Sequence, residues 1–239
     1  MGAKISQISL PQRGELVSLS PMDCLVTAGP TFEPLDRVRR LTNFSTGTLG
    51  TALANHLVAA GHRVRLFRGE SAVAGPPVSA VTVEPFSTTA DLATLFLKHA
   101  TSEPVAIFHA AAVSDFSFGP VFERHADGHQ TPVHAGKLST RGGSLWVELK
   151  PTPKLITGLR EWYPRSVLVG WKYEVDGLPA DTLERARAQL AAARSDACVA
   201  NGPAHGPGFS LVTPGGVLPC ADVAALFAAL EHLLVRGAQ

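Results

Sequence analysis

One apolar run, residues 105–113, constrains the fold of this chain more than any other feature. Its sequence is VAIFHAAAV, and a short continuous apolar run is typical of a strand that is buried on both faces. Such strands occur in parallel sheets, whose crossover connections are usually helices that cover the two faces. The run therefore predicts an α/β fold, which requires helices between the strands.

The chain supplies this alternation along most of its length. Apolar runs predict further strands at 24–29, 63–67, 80–86, 166–174 and 197–202. Helical spacing of apolar residues predicts helices at 47–61, 87–100, 151–163, 179–196 and 221–237. A hairpin is expected at 208–220, with its turn at 214–216. Together these segments predict a Rossmann-like, three-layer αβα domain with a doubly wound, mostly parallel sheet.

Two segments depart from the alternation. Residues 1–21 are polar and lack a sustained period, which predicts a flexible N-terminal arm. Residues 114–143 are polar and glycine-rich, and so long a connection in a compact domain is usually functional or part of an interface. With the strand expected at 145–150, they form an irregular excursion over 114–150. No linker divides the remainder, so residues 22–239 are expected to form a single domain.

Composition excludes several classes of protein. The chain has 239 residues, 45% of them hydrophobic, and its 21 basic and 20 acidic residues give a net charge of +1. This balance argues against nucleic acid or an anionic membrane as the main partner. No apolar run approaches the roughly 18 residues of a membrane span, and no secretory signal begins the chain. Three cysteines without paired spacing argue against a disulfide framework and favour the cytoplasm.

The segment 43–50, whose sequence is NFSTGTLG, is the best candidate for binding phosphate. It opens a predicted helix beyond the first strand, and ligands of open parallel sheets bind at the carboxyl ends of the strands. Gly47 and Gly50 let the backbone approach an anion, Ser45 adds a hydroxyl, and the helix N-terminus adds partial positive charge. An ordinary helix cap with a packing glycine remains the alternative interpretation.

Other polar residues are more ambiguous. Asp115 follows the strand at 105–113, where a carboxylate can hold a ribose, a magnesium ion or a substrate group, or can simply cap a turn. Lys137 lies in the long loop, where lysines are normally solvated. Three histidines between residues 125 and 134 leave a zinc site open, although the segment lacks helical character and nearby cysteines. His109 lies within a buried strand, which predicts a hydrogen-bonded core histidine.

Seven segments occur together in one order along the chain. They are TAGPTFEP (27–34), VRRLTNFSTGTLG (38–50), AAAVSDF (110–116), GKLS (136–139), PTPKLI (151–156), VGWKYE (169–174) and VAN (199–201). In this combination the chain resembles the phosphopantothenate–cysteine ligase family, which includes the synthetase part of the bacterial bifunctional coenzyme A biosynthesis flavoprotein. The resemblance covers about residues 22–235.

The resemblance implies a reaction and its partners. A nucleoside triphosphate, CTP or ATP, activates the carboxylate of phosphopantothenate as an acyl-nucleotide and releases pyrophosphate. The amine of cysteine then attacks the acyl carbon to form the amide. The family is dimeric, and its dimerisation structure lies in the region corresponding to 114–150. The resemblance also implies Mg²⁺ with the nucleotide but no bound FMN, since no flavin-binding segment precedes residue 22.

The resemblance assigns a role to each matching position, but it assigns no metal ligands. Asn43 matches the residue that holds the acyl carbonyl oxygen, and Lys137 matches the loop lysine of nucleotidyl transfer. Gly29, Ser45, Gly47 and Gly50 match positions along the triphosphate, whereas Trp171 and Asn201 match contacts near the base or elsewhere on the nucleotide. Ala111, Ala112 and Asp115 match a stretch that contacts phosphopantothenate or the nucleotide. Arg39 matches an arginine that reaches the substrate phosphate of the neighbouring subunit.

The chain departs from the bacterial pattern in two places, the loop after Lys137 and the glycine loop. Leu138, Ser139 and Thr140 follow Lys137 where bacterial forms usually carry lysines, and Thr48 replaces a basic residue in the glycine loop. The first departure resembles eukaryotic forms, which leaves the choice between CTP and ATP open.

Two other functions are also compatible with the fold class. The first is a non-catalytic nucleotide-binding paralogue. The second is an NAD(P)-dependent reductase, but neither tyrosine has a lysine four residues later, and no acid ends the strand at 63–67.

Overall fold

The computed structural model describes residues 21–139 and 142–237. The predicted N-terminal arm therefore lies outside the described residues, apart from Pro21. Thr140, one of the departures from the bacterial pattern, also lies outside them.

The core of the fold is an eight-stranded sheet in the order β13-β12-β11-β10-β6-β1-β4-β5. Its strands are β1 (Asp23–Ala28), β4 (Arg63–Gly69), β5 (Thr82–Phe86), β6 (Ala106–His109), β10 (Val167–Tyr173), β11 (Ala197–Asn201), β12 (Phe209–Thr213) and β13 (Gly216–Cys220). The strands from β11 to β5 in this order are parallel, and β12 and β13 add an antiparallel hairpin.

Five helices cover the two faces of this sheet within the described residues. They are α1 (Thr48–Ala59), α2 (Thr89–Lys98), α3 (Leu155–Trp162), α4 (Pro179–Ala193) and α5 (Val223–Gly237). Successive side chains of β1 point to opposite faces of the sheet. Val26 packs with leucines of α1 and α5 on one face, and Leu25 packs with apolar residues of α2 and α3 on the other. The predicted Rossmann-like three-layer αβα fold is confirmed. None of the helices in residues 21–139 and 142–237 has the length and hydropathy needed to cross a membrane.

The apolar run at 105–113 does not form one continuous strand. β6 ends at His109, where the backbone N–H of Ala110 turns back to the carbonyl of Phe108. The following residues, 110–113, are only half-buried. The predicted strand included these residues because their side chains are apolar, but they form a loop beyond the carboxyl end of the sheet.

The predicted excursion is more regular than its composition suggested. It contains β7 (Phe116–Arg124), β8 (Gln130–Pro132) and β9 (Ser144–Pro151), which form an antiparallel sheet in the order β8-β7-β9. A register shift between Phe118 and Val121 breaks the two-residue alternation of β7, which conceals the strand in the sequence. A second small sheet pairs β2 (Phe32–Pro34) with β3 (Arg40–Thr42) inside the long connection between β1 and α1.

One face of the β7–β9 sheet is apolar and partly open to solvent. Cross-strand partners share a face, and Phe118 pairs with Leu149 whereas Val121 pairs with Val147. Leu149 is 49% exposed. Trp146, which is 51% exposed, pairs with Phe122 on the opposite face. The apolar face is defined here by Phe116, Phe118, Val121, Leu145, Val147 and Leu149.

Glu84 of β5 gives the fold a defined pH dependence. Hydrogen bonds from Lys98, His99 and Arg65 outweigh burial and lower the pKa of Glu84 to about 2 from 4.5. Because the pKa is depressed in the folded state, this stabilisation is present above the unfolded-state value and is lost as the pH falls towards about 2. We expect Glu84→Gln to lower the free energy of unfolding near neutral pH by about 1–2 kcal/mol, since solvent screens the exposed partners.

Urea denaturation of the wild type and Glu84→Gln at neutral and strongly acidic pH measures this difference. Glu103→Gln is the control, because the Glu103 carboxylate has no hydrogen bond or ion pair within the described chain, and it should change stability by less than about 0.5 kcal/mol. A Glu84→Gln effect that is the same at both pH values would contradict the prediction.

Candidate active site

A cleft of 920 Å³ opens at the carboxyl ends of β1, β6, β10 and β11. Its walls come from four segments, residues 43–50, 109–115, 153–156 and 171–173, of which the last is the carboxyl end of β10, with Val175, Gln189 and Asn201 beside them. Nine of the predicted site residues line it: Asn43, Ser45, Gly47, Gly50, Ala111, Ala112, Asp115, Trp171 and Asn201. The position of the cleft is the one that open parallel sheets use for ligands.

The glycine loop leaves the N-terminus of α1 open to the cleft. Gly47 is the N-cap residue with φ of 78°, no side chain caps the helix, and its first turn has no acidic residue. Gly29 lies directly beneath, with φ of 85°, and a Cβ on Gly47 would lie 3.2 Å from its backbone nitrogen. These two glycines therefore allow a close loop–loop contact that leaves amide N–H groups available to an anion.

Gly50 fixes the position of α1 on the sheet. A Cβ at this position would lie 2.6 Å from Ala28 Cβ and 2.8 Å from the carbonyl oxygen of Thr27. We expect Gly50→Ala to lower the free energy of unfolding by about 1–3 kcal/mol, because the helix must move away from β1. Urea denaturation measures this, with Gly75→Ala as the control, since nothing lies within 4 Å of the added methyl group there. Equal urea midpoints of unfolding for Gly50→Ala and Gly75→Ala would contradict this packing role of Gly50.

Hydrogen bonds to β1 and the loop that follows it hold the segment after β6 in place. Thr27 Oγ1 accepts from the backbone N–H of Ala111 at 3.0 Å and lies 3.0 Å from His109 Nδ1. Thr31 Oγ1 accepts from the backbone N–H of Ser114 at 2.7 Å. Burial lowers the pKa of His109 to about 4, so this histidine is neutral near pH 7 and is a hydrogen-bonded core residue, as predicted.

Asn43 bridges the glycine loop and the segment after β6. Its side-chain nitrogen donates to the carbonyl oxygens of Ala112 at 3.1 Å and Val113 at 3.3 Å. The side chain itself is exposed in the cleft. Asn43 thereby joins the glycine loop to the wall of the cleft that carries Asp115.

Asp115 forms an ion pair with Lys154, and both side chains are largely exposed. Lys154 is the N-cap residue of α3, where a positive charge is unfavourable to the helix. Lys154 was not among the predicted site residues, although a lysine at the start of a helix was a usable signal. Among the described residues that line the cleft, Asp115 is the only carboxylate, and Lys154 and Lys172 are the only lysines.

The far end of the cleft contains two buried polar atoms without partners. Trp171 Nε1, a donor, and Asn201 Oδ1, an acceptor, have no hydrogen bond in the described chain. Gln189 of α4 donates to the backbone carbonyl of Trp171 at 3.0 Å and was not predicted as a site residue. Unsatisfied buried groups cost free energy, which a polar ligand that reached them would offset.

The charged residues beside this end are already paired. Glu174 lies 3.0 Å from Lys172 Nζ and also bonds Arg185. Although burial raises the pKa of Glu174, these hydrogen bonds outweigh it and hold the pKa below its usual value.

Three predicted site residues are not among those that line the cleft: Gly29, which is buried beneath the glycine loop, and Arg39 and Lys137, which lie farther away. Arg39 Nη2 donates to the carbonyl oxygen of Leu138 at 2.6 Å, and Lys137 is exposed next to it. The two segments therefore meet each other, but their basic side chains are not among the residues that line the cleft of the same chain.

The geometry gives the zinc interpretation no support. His125 and His129 stack with ring centroids 6.1 Å apart, and His125 bonds Thr131. The part of the chain that the structure describes contains no group of three or more His, Cys, Asp or Glu side chains arranged to hold a metal.

Fold and cleft together define a Rossmann-like α/β domain with a cleft at the carboxyl edge of its sheet. Comparison with known families identifies it further. Residues 19–218 match the model of the DNA/pantothenate metabolism flavoprotein C-terminal domain, and the chain belongs to that family. The resemblance to phosphopantothenate–cysteine ligases is thereby confirmed.

Individual relatives agree with this assignment. The chain is 34% identical over 184 residues to coenzyme A biosynthesis bifunctional protein CoaBC of Thermococcus kodakarensis, covering 77% of this chain and 42% of that protein. It is 32% identical over 235 residues to human phosphopantothenate–cysteine ligase, covering 74% and 71%. The DNA/pantothenate metabolism flavoprotein from Streptococcus pneumoniae has a similar structure, with a TM-score of 0.78, 25% identity and coverage of 90% and 99%. The chain thus spans less than half the length of the bifunctional relative.

Family membership replaces the reductase interpretation. One argument against a reductase was wrong, because β4 runs to Gly69 and an acid, Glu70, follows it directly. Glu70 is, however, not among the residues that line the cleft.

Proposed function

We propose that this chain joins cysteine to phosphopantothenate through an acyl-nucleotide intermediate, as a phosphopantothenate–cysteine ligase. The observation that carries the proposal is the meeting of Asn43, the open N-terminus of α1 and the segment 110–115 in one cleft. This arrangement combines an anion site with an amide and a carboxylate. The name of the human relative states this reaction, and the name of the Thermococcus kodakarensis relative states that it acts in coenzyme A biosynthesis.

The first half-reaction is transfer of a nucleotidyl group to the substrate carboxylate. A carboxylate oxygen attacks the α-phosphorus, the bond to the bridging oxygen breaks, and pyrophosphate leaves. Gly29, Ser45, Gly47 and Gly50 bind the triphosphate, because their loop offers N–H groups and the positive end of α1. The chain's part in this step is to position the reactants and to stabilise charge.

The nucleoside portion extends towards Trp171 and Asn201. Their partnerless donor and acceptor suit the polar edge of a base or a ribose. Both CTP and ATP carry such groups, so both nucleotides belong in the assay.

The cleft suits a magnesium ion that arrives with the nucleotide. Mg²⁺ is usually held by substrate phosphates and one or two carboxylates rather than by a protein cage. Asp115 would hold it together with the phosphates, once the carboxylate exchanges its bond to Lys154. The ion would neutralise part of the triphosphate charge.

The second half-reaction forms the amide. The amine of cysteine attacks the acyl carbon, the bond from that carbon to the nucleotide oxygen breaks, and a nucleoside monophosphate leaves. Asn43 stabilises the negative charge that develops on the acyl oxygen. Since its nitrogen donates to Ala112 and Val113 without ligand, the acyl-nucleotide must displace at least one of these bonds.

Two copies of the chain form the working enzyme. The apolar face of the β7–β9 sheet is exposed over Phe116 and Leu149, as expected of a surface that a second copy covers. Arg39 and Lys137 lie outside the cleft of their own chain, and Arg39 reaches the substrate phosphate in the neighbouring subunit.

We expect Leu149→Glu to convert the dimer into a monomer, because it places a charge in the centre of the apolar face. Light scattering at micromolar concentration measures the mass. Trp146→Gln changes an equally exposed residue on the opposite face and should leave the dimer intact. A wild-type chain that is monomeric at this concentration would overturn the shared-site role of Arg39.

Pyrophosphate release tests the function directly. The purified protein is incubated with phosphopantothenate, Mg²⁺ and either CTP or ATP, with and without cysteine. Release that depends on phosphopantothenate, with amide formed only when cysteine is present, is the expected result. No release with either nucleotide would sink the ligase proposal and favour the non-catalytic paralogue.

A further inference from the structure

The turn between β2 and β3 contains a buried carboxylate that reaches across the molecule. The Asp36 side chain is only 1% exposed. Its Oδ1 accepts from the backbone N–H groups of Val38 at 2.8 Å and Arg39 at 2.7 Å, which closes the turn. Its Oδ2 accepts from the backbone N–H of Leu138 at 3.0 Å, a residue 102 positions later.

The turn makes two further contacts with the same loop. Arg39 Nη2 donates to the carbonyl oxygen of Leu138 at 2.6 Å, and the backbone N–H of Arg37 donates to the carbonyl oxygen of Gly136 at 3.0 Å. Both backbone polar groups of Leu138 are therefore held by the turn. The Leu138 side chain is 3% exposed, so it anchors the loop as well.

Lys137 lies between Gly136 and Leu138, whose backbone groups bond the turn, but its own side chain does not take part in these contacts. Its side chain is exposed and has no hydrogen bond or ion pair to the described residues. A loop whose backbone is fixed on both sides of an exposed lysine presents that ammonium group from a defined position.

We propose that Asp36 is a positioning residue, which holds the segment 136–138 against the turn 35–39 and so sets where Lys137 is presented relative to Arg39. The proposal rests on the proposed ligase function, in which Lys137 acts in nucleotidyl transfer. Fixing the loop in advance reduces the entropy lost when the ammonium group meets the phosphates. In agreement, the backbone hydrogen bond from Leu138 is the largest of the effects that lower the pKa of Asp36, so the carboxylate is ionised near neutral pH.

Asp36→Asn keeps the acceptor for the turn but changes the contact with Leu138, and it also weakens the 3.6 Å ion pair between Asp36 Oδ2 and Arg39 Nε. The amide oxygen can still accept from Val38 and Arg39, whereas the amide nitrogen would face the N–H of Leu138, donor against donor. Asp127→Asn is the matched control, because Asp127 also closes a turn, by accepting from His129 at 2.9 Å in the connection from β7 to β8.

The test is a double-mutant cycle on cysteine-independent pyrophosphate release. We expect Asp36→Asn to lower the single-turnover rate of release about tenfold with little change in the nucleotide concentration that gives half the maximal rate, and to have no further effect in Lys137→Ala. Asp127→Asn should match the wild type. The same tenfold loss in both backgrounds would show that Asp36 acts on the fold alone and would overturn the proposal.

Hydrogen exchange provides a second readout that needs no substrate. The amide of Leu138 should exchange at least tenfold faster in Asp36→Asn than in the wild type or Asp127→Asn, and equal exchange would overturn the docking of the loop. If the wild type releases no pyrophosphate, the ligase function fails and the proposal with it. If the wild type is active but the cycle is additive, only the role of Asp36 fails.

Discussion

Asn43→Ala is expected to leave activation of phosphopantothenate intact and to slow amide formation about a hundredfold to a thousandfold. Removing one donor to a developing oxyanion typically costs about 2.7–4 kcal/mol of transition-state stabilisation. Nucleotidyl transfer builds its charge on phosphate oxygens, which we propose to lie at the glycine loop and the N-terminus of α1. Only the attack by cysteine builds charge on the acyl oxygen, so the two half-reactions should respond differently to this one substitution.

Single-turnover experiments separate the two steps. Pyrophosphate release without cysteine reports activation, and the decay of acyl-nucleotide after cysteine is added reports amide formation. Asn43→Asp should be as slow as Asn43→Ala in the second step, because a carboxylate cannot donate. Asn55→Ala is the control, since Asn55 accepts from the backbone N–H of Val78 and does not line the cleft. Amide formation at the wild-type rate in Asn43→Ala would remove this residue from the mechanism.

Periodic patterns predicted the parts of the fold that pack against the central sheet. Leu25 and Val26 lie in one apolar run and face opposite helical layers, so burial on both faces marked this strand clearly. The small sheets lacked such a signal. β7 is interrupted by a bulge beside Pro120, and β3 is only three residues long, with no buried residue to mark it.

The candidate site was predictable to a similar, partial extent. Gly47 and Asp115 follow from the physics of helix N-termini and strand ends, and both line the cleft. Trp171 and Lys137 came only from resemblance to a family, since nothing in their local sequence distinguishes them. The contact between Asp36 and Leu138 joins residues 102 positions apart through a backbone amide, for which a single sequence has no signal.

Lys137→Ala is expected to reduce the rate of activation itself by about a hundredfold, or about 3 kcal/mol, because the first half-reaction loses a positive charge beside the transferring phosphate. The cleft offers few substitutes. Within the described residues that line it, Lys154 and Lys172 are both paired with carboxylates, and His109 is neutral near pH 7. The formal net charge of +1 provides no general attraction for a triphosphate, so the charge must be delivered locally.

This loss should appear in kcat for pyrophosphate release, and the rate at which preformed acyl-nucleotide reacts with cysteine should stay close to that of the wild type. Lys137→Arg keeps the charge but changes its shape and reach, so it should recover part of the lost rate. Lys98→Ala is the control, because Lys98 is also an exposed lysine but pairs with Glu84 and does not line the cleft. An activation rate in Lys137→Ala equal to that of Lys98→Ala would identify Lys137 as a solvated loop residue. The positive charge for the first half-reaction would then have to come from Lys154 or Lys172, each of which would exchange its carboxylate partner for phosphate.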